Sequence, residues 1–354
     1  MPPDIGGYQR QIALLLPRLV PTLRDVTWLG AVRDRPLEAS PDAGRAVGRW
    51  AVPAFRIPRR VRGAADLLVV SIASFVLLVR RPNRDVLWLL SPTMVGAAAL
   101  VRLARWRRWG VVVRYPTAGD LQHAGGRRVA RVPGVIVVGP AASQTEEDER
   151  LAVEQVRNAV DVPVADGASG RDDGERSIVF VGRLIRRKRV DLLLQAWAQA
   201  ADRLPGWRLV VVGDGGSEAD SIEDELAVTV STGAVPRCDL VGGVPDARPY
   251  ISTADIFAFP SVREGLPNSV LEAMAAGVPV LADPRRAVEW FGDPVPLLEW
   301  SGEDADLADA IVAAALDIKG REDVARDGRA YVSAHHDPSA VAMRYRQLFE
   351  DSLR

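Results

Sequence analysis

Two carboxylates, Glu264 and Glu272, stand eight residues apart in the run Pro260-Ser-Val-Arg-Glu264-Gly265-Leu266-Pro267-Asn268-Ser-Val-Leu-Glu272-Ala-Met-Ala-Ala-Gly277-Val-Pro-Val. The first falls in a glycine-containing loop after the strand candidate Ile256-Phe-Ala-Phe, and the second falls about one turn into the following helix. Both therefore point to the strand end where open α/β sheets bind ligands, and each can accept hydrogen bonds from vicinal hydroxyls. Gly265 lets backbone approach a ligand, Pro267 suits a first helical turn, and Gly277 suits a helix C-terminus.

A second cluster is cationic. After Ile178-Val-Phe-Val comes Gly182-Arg183-Leu184-Ile185-Arg186-Arg187-Lys188-Arg189, which opens a helix at Asp191-Leu-Leu-Leu-Gln-Ala-Trp-Ala. Arg183 and Lys188 share the strand-to-helix loop, where a guanidinium and an ammonium can converge on a dianion before a positive helix end. A diphosphate fits that geometry; taken without its context, the loop also reads as a solvated basic turn.

The elements needed to position these groups are present. Short β-branched runs alternate with amphipathic stretches, the pattern of βα units in a parallel sheet covered by helices. Strand candidates in the first half are Val26-Thr-Trp-Leu, Val86-Leu-Trp-Leu-Leu, Val111-Val-Val-Arg and Val135-Ile-Val-Val. The second series is Ile178-Val-Phe-Val, Arg208-Leu-Val-Val-Val, Asp239-Leu-Val, Ile256-Phe-Ala-Phe and Pro279-Val-Leu-Ala. Two successive Rossmann-like sheets are the economical reading. The polar, glycine-rich Asp166-Gly-Ala-Ser-Gly-Arg-Asp-Asp-Gly-Glu reads as the linker between them.

Composition agrees. At 354 residues the chain is past the size of a single core, which favours two domains. With 48% hydrophobic and 26% charged residues, disorder is excluded. One cysteine, Cys238, and three histidines exclude an internal disulfide and leave too few soft ligands for a structural zinc or iron–sulfur site. The net charge of -1 hides a division: residues 1–163 hold 24 Arg against 14 acidic residues, while the remainder holds 21 basic against 32 acidic. The first part, at +10, faces something anionic. The start Met1-Pro-Pro-Asp-Ile lacks the features of a signal peptide, so a cytoplasmic location is expected. The apolar run Leu67 to Val79 is shorter than a membrane span and reads either as a core helix or, given its arginine flanks, as an interfacial one. Arg102, Arg105, Trp106, Arg107, Arg108 and Trp109 form a basic, aromatic helix end, either a solvated face or a surface that rests on headgroups.

Taken together, Glu264-x7-Glu272 within Glu-Gly-Leu-Pro-Asn and Glu-Ala-Met-Ala-Ala-Gly, preceded by Gly-Arg-Leu and Lys188, resembles the family 4 retaining glycosyltransferases, in the glycosyltransferase group 1 family. The resemblance covers residues 178–350 with specific motifs and residues 1–163 loosely. It implies the GT-B fold: α/β, two facing Rossmann-like domains with parallel sheets and an interdomain cleft. The expected division is an acceptor-side domain over 1–163, a linker over 164–176, a nucleotide-sugar domain over 177–332, and a C-terminal helix over 333–354 that crosses back to the first domain. The resemblance implies that Arg183 and Lys188 hold the donor diphosphate, Glu264 contacts sugar hydroxyls and Glu272 binds the ribose. It places donor-side backbone at Gly6, Gly7, Gly182, Gly242, Gly265, Leu266 and Asn268. Arg208-Leu-Val-Val-Val-Gly213-Asp214-Gly215-Gly216 is similar to the family's second strand and glycine turn, and Asp239-Leu-Val-Gly242-Gly243 to the stretch facing the nucleobase. Arg157-Asn158-Ala-Val-Asp161 resembles the segment that closes the first domain.

The chain departs from the pattern in three places. Only five residues precede Gly6, so the family's first strand is expected to be missing, through a short sheet or a start assigned downstream of the true one. Arg114-Tyr115-Pro116 stands where a histidine usually follows the strand, and His123 is not at the matching place. Pro284-Arg285-Arg286-Ala-Val-Glu289 replaces the usual Gly-Gly and Glu, which puts the contacts of that loop in question. His335 and His336 are adjacent, so their side chains diverge and no metal site is expected.

The resemblance therefore implies a glycosyltransferase that moves a sugar from a nucleotide-diphosphate-sugar to an acceptor hydroxyl with retention, in bacterial cell-surface glycan or glycoconjugate biosynthesis. No cofactor or metal is expected. The partners expected are the donor, a glycan, lipid-linked or small-molecule acceptor, and a membrane's inner face touched through the basic first domain; nucleic acid is not among them. The alternatives are a catalytically degenerate nucleotide-sugar-binding partner of another transferase, and a GT-B nucleotide-sugar epimerase or phosphorylase-like enzyme. An NAD-dependent oxidoreductase would need a Gly-x-Gly-x-x-Gly after the first strand, and none stands there.

Overall fold

The computed structural model describes residues 11, 14–15, 17–19, 26–30, 47–51, 85–89, 97–115, 124–139, 153–162, 176–216 and 220–354. Gly6, Gly7, the run 67–79, His123 and nearly all of the 164–176 linker lie outside them. The chain divides into two units, one of Met1–Ala159 with Pro338–Arg354 and one of Val160–Asp337.

In the first unit, β1 (Val26–Gly30) and β2 (Val47–Ala51) form a parallel pair. A separate four-stranded parallel sheet runs in the order β3 (Val86–Leu89), β4 (Gly110–Arg114), β5 (Val135–Gly139), β6 (Glu154–Gln155). β4 is buried along its whole length, as a central parallel strand with both faces covered must be. Val111, Val113 and Val137 pack with Leu100, Val101 and Ala104 of α1 (Ala97–Trp106), and α2 (Ala124–Ala130) lies beside that helix. Val112 and Val138 face the other way and pack with Leu15, Leu19 and with Tyr345, Leu348 and Phe349 of the last helix, Pro338–Ser352. Trp88 closes this layer, 4.8 Å from the Tyr345 ring.

That packing sets the true boundaries. The helix expected to return from residue 333 begins at Pro338, because residues up to His335 continue the helix Ile318–His335 of the second unit. The first unit ends at Ala159, four residues earlier than expected, since Val160 belongs to the second unit's core and its N–H bonds the His336 carbonyl at 3.0 Å. Arg114, 6% exposed, joins three elements of the first unit by donating to Tyr345 Oη and Asn158 Oδ1.

The second unit is a six-stranded, wholly parallel sheet. Its strands in chain order are β7 (Arg176–Val181), β8 (Trp207–Val212), β9 (Cys238–Gly242), β10 (Ile256–Ala258), β11 (Val280–Ala282) and β12 (Leu298–Glu299). In space they run β12-β11-β10-β7-β8-β9, the doubly wound arrangement. The helices between them are α3 (Val190–Ala200), α4 (Glu223–Ser231), α5 (Arg248–Ser252), α6 (Asn268–Ala275) and α7 (Pro284–Phe291), followed by α8 (Leu307–Leu316) and α9 (Ile318–His335); the closing helix of the first unit is α10. α3 buries seven of its eleven residues, among them Trp197, whose Nε1 donates to the Pro236 carbonyl at 2.7 Å. The polar edge of that indole is thereby satisfied within the core.

Every strand read from the sequence is found within a residue or two. β2, β6 and β12 are found in addition. β6 and β12 are two-residue edge strands, too short to show alternation or an apolar run.

Candidate functional site

The winding of the second sheet reverses between β7 and β10, which are neighbours through Ile256↔Ile178 and Phe257↔Val179. At such a point the loops leaving the two strands diverge to opposite sides and open a crevice at the strands' carboxyl ends. The two loops here are 182–189 and 259–267, the ones that carry the cationic cluster and the first carboxylate.

They meet through charge. Lys188 Nζ lies 2.7 Å from Glu264 Oε1, with side chains only 11% and 9% exposed. The ammonium also sits 5.0 Å above the Phe259 ring. Burial pushes the Lys188 ammonium below its ordinary value; Glu264 opposes that shift, while Arg187 and Arg183 add to it. An ammonium that is desolvated and crowded by two guanidinium groups gains strongly from an added anion.

Backbone geometry holds the loops in place. Lys188 ends a 3₁₀ turn, Arg186–Lys188, and Arg189 adopts a left-handed conformation (φ 55°) that redirects the chain into α3. Gly213, after β8, has φ +139°, and a Cβ there would lie 1.8 Å from the Gly182 carbonyl oxygen. Only glycine admits this approach. Its N–H donates to the Gly242 carbonyl at 2.9 Å, and Gly182 N–H donates to Val212 at 3.0 Å. The ends of β7, β8 and β9 are thus drawn together. Gly242 is needed for its φ of +79° and not for space, since nothing lies within 4 Å of the position a Cβ would take.

The basic loop divides in two. Arg186 pairs with Glu225 at 2.8 Å and Arg189 with Asp304, so these two belong to the surface. Arg183 is exposed, and its charge reaches Lys188. Of the carboxylates, Glu264 joins the pair, while Glu272 lies in the second turn of α6, where its charge is felt by Arg248 of α5. Arg248 is itself held by Asp246 in a bidentate contact at 2.7–3.0 Å. Asn268 is the first residue of α6 and Pro267 its cap, so Pro267 precedes the first turn and does not form part of it. Gly265 and Leu266 are half-buried in the loop between Glu264 and that cap.

The sequence reading passed over Ser261. It is 2% exposed, its hydroxyl donates to Glu264 Oε1, and it lies 3.2 Å from the Arg187 carbonyl oxygen.

The 284–289 loop forms α7. Asp283 caps it by accepting from Arg285 N–H at 2.9 Å, the Arg285 guanidinium turns back on Asp283 and the Ser301 carbonyl, and Arg286 pairs with Glu289 at 2.9 Å. His336 is buried against Phe291 and Tyr331, and the His335 ring lies tilted against Tyr331 with centroids 4.7 Å apart. Among the described residues no group of three or more His, Cys, Asp or Glu could hold a metal ion.

Residues 175–317 match the family model described as Glycosyl transferases group 1. Over that segment the chain is similar to the group 1 glycosyl transferases. Among curated proteins, a lipopolysaccharide core biosynthesis glycosyltransferase of Rhizobium meliloti is 30% identical over 174 residues, 48% of either chain. The 2-deoxystreptamine glucosyltransferase of Streptomyces kanamyceticus is 40% identical over 112 residues, 31% of this chain and 28% of that one. The chain thus spans about half or less of the length of these relatives. Solved structures extend further. The Anabaena protein HepE in complex with UDP-glucose superposes with TM-score 0.69 at 16% identity, over 96% of this chain and 95% of that one. Sucrose-phosphate synthase from Thermosynechococcus elongatus gives 0.69 at 21% identity, over 97% and 92%. The fold is the GT-B fold.

Proposed function

We propose that this protein is a retaining glycosyltransferase that takes a sugar from a nucleotide-diphosphate-sugar and passes it to an acceptor hydroxyl in bacterial glycan biosynthesis. The observation that carries the reading is the buried Lys188–Glu264 pair at the reversal point of the second sheet, with Arg183 beside it. HepE, bound to UDP-glucose in its crystal structure, supports a nucleotide-sugar donor. The lipopolysaccharide and teichuronic acid enzymes among the relatives support the glycan setting.

In this reading Lys188 and Arg183 stabilise the departing diphosphate, whose negative charge grows as the glycosidic bond breaks. Glu264 accepts from sugar hydroxyls and Glu272 from the ribose, fixing the anomeric carbon in front of the acceptor. The acceptor hydroxyl attacks from the face the diphosphate leaves, and a departing phosphate oxygen takes its proton. Two side-chain cations supply the compensating charge, so the transfer proceeds without a divalent metal. Removing either cation raises the barrier by about 2 to 4 kcal/mol.

The acceptor is anionic or presented on a membrane's cytoplasmic face, the reading that suits a first unit rich in arginine. Trp106, 76% exposed at the end of α1, sits among Arg102, Arg107 and Arg108, an amphipathic end suited to headgroups. Among the described residues no helix is long and apolar enough to cross a membrane.

The test is nucleoside diphosphate release from UDP-, GDP-, ADP- and dTDP-sugars with cell-extract acceptors, in EDTA and in magnesium, for wild type and Glu272→Ala. Release with one donor, retained in EDTA and lost in the variant, is expected. Absence of binding and turnover with every donor would sink the enzymatic reading in favour of a degenerate partner.

A further inference from the structure

Glu264 is held by one oxygen. Oε1 receives both the Lys188 ammonium, at 2.7 Å, and the Ser261 hydroxyl, while among the described residues no donor is aimed at Oε2. The backbone next to Ser261 is anchored to the facing loop. Ser261 Oγ lies 3.2 Å from the carbonyl of Arg187, the residue before Lys188, and Val262 N–H donates to that same carbonyl at 3.4 Å. The Val262 bond therefore ties the loop after β10 to the loop after β7 beside Ser261, at the point where the two charges meet.

We propose that Ser261 is a positioning residue: it pins Glu264 by Oε1 against Lys188 and so leaves Oε2 turned to the ligand. The placement rests on the geometry, and only the ligand's identity, a sugar hydroxyl, rests on the glycosyltransferase reading. A glutamate has three side-chain torsions, and a single salt bridge to a flexible lysine does not fix them. A second donor, buried and placed by the adjacent Val262 bond to the facing loop, removes that freedom before the ligand arrives. One oxygen then serves the protein and the other the substrate.

Lys188 and Lys319 are the only lysines in the chain, so Nζ-¹⁵N-lysine labelling gives two side-chain amine signals, and Lys319→Arg tells which is Lys188. The titration of Lys188 is followed in the unliganded wild type, Glu264→Gln and Ser261→Ala. Glu264→Gln removes the counter-charge while burial, Arg187 and Arg183 still push the ammonium down, so the Lys188 midpoint falls. Ser261→Ala, which frees Glu264 to leave the pair, is expected to lower it in the same direction by a smaller amount. With a donor that the wild type uses, Ser261→Ala is expected to lose tenfold or more in kcat while calorimetric Kd for the free nucleoside diphosphate stays within threefold. Ser261→Thr, which returns the hydroxyl, is expected to recover the Lys188 midpoint and most of kcat.

A Ser261→Ala protein with the wild-type Lys188 midpoint or the wild-type kcat overturns the proposal. So does a parallel loss of nucleoside diphosphate affinity and urea midpoint, which marks a merely structural serine. If the Lys188 midpoints order as expected but no nucleotide sugar is turned over by the wild type, the positioning of Glu264 stands and the substrate reading falls.

Discussion

Gly213→Ala isolates the close approach that draws the loops of the second sheet together. The methyl group would be placed 1.8 Å from the Gly182 carbonyl oxygen and 2.9 Å from its carbonyl carbon, at φ +139°. Neither neighbour is the end of a flexible side chain, so β7 and β8 must separate where Val181 pairs with Val212. Backbone strain at such a φ costs about 1 to 3 kcal/mol, and forcing volume into a packed interior costs about as much again. The sum, about 2 to 6 kcal/mol, is a large part of the 5 to 15 kcal/mol typical of a folded domain. Gly277→Ala is the control. Its φ is +72° and the nearest atom to a new Cβ is Arg329 Nη1 at 3.9 Å, so it suffers left-handed strain alone, about 1 to 2 kcal/mol. Urea unfolding of the whole chain at pH 7, read through Cm at constant m, compares the two. Gly182 leads into the loop that bears Arg183 and Lys188, so Gly213→Ala is also expected to weaken nucleoside diphosphate binding, and Gly277→Ala is not. Equal destabilisation by the two substitutions, or intact nucleotide binding in Gly213→Ala, refutes the argument.

Two further expectations concern groups away from the crevice. Tyr345→Phe takes an acceptor from the buried Arg114 guanidinium and is expected to cost about 1 to 3 kcal/mol; the double variant with Arg114→Met should cost less than the sum of the singles, because both break one contact, and strict additivity in denaturant melts contradicts the link between α10 and β4. Burial pushes the Cys238 thiol up to about 12 from 9.0, with Asp239 adding to the shift. Unfolded chain thus gives up this proton first, and the thiol's contribution to stability is present below pH 9 and lost as pH rises from 9 toward 12. Cys238→Ala should flatten that limb of a stability–pH profile, and an unchanged slope counts against the thiol as its source.

Much of the second unit was legible in the sequence because its parallel strands are buried on both faces. Runs such as Leu209 to Val212 are then apolar without alternation and bounded by glycine turns. Glu264, Glu272, Arg183 and Lys188 were legible as residue types at fixed places after such strands, where a doubly wound sheet presents its ligand edge. Their number and order could be read without a single distance.

Tertiary structure alone decided which of them meet. The four arginines in the 183–189 loop are indistinguishable by type, and only folding gives Arg186 to Glu225, Arg189 to Asp304 and Lys188 to Glu264. Pairing across the sheet depends on β7 and β10 becoming neighbours although 74 residues lie between the end of one and the start of the other. No local pattern encodes that adjacency. Ser261 was hidden for the same reason: a serine in a polar loop is ordinary until the fold buries it between the Arg187 carbonyl and the Glu264 carboxylate. The return of α10 to the first sheet was foreshadowed, but its start at Pro338 follows from where α9 stops packing on the second unit. Sequence determined the chemistry available and the strand ends that bear it; the long-range winding of the sheet, set by burial of apolar faces far apart in the chain, determined the partners.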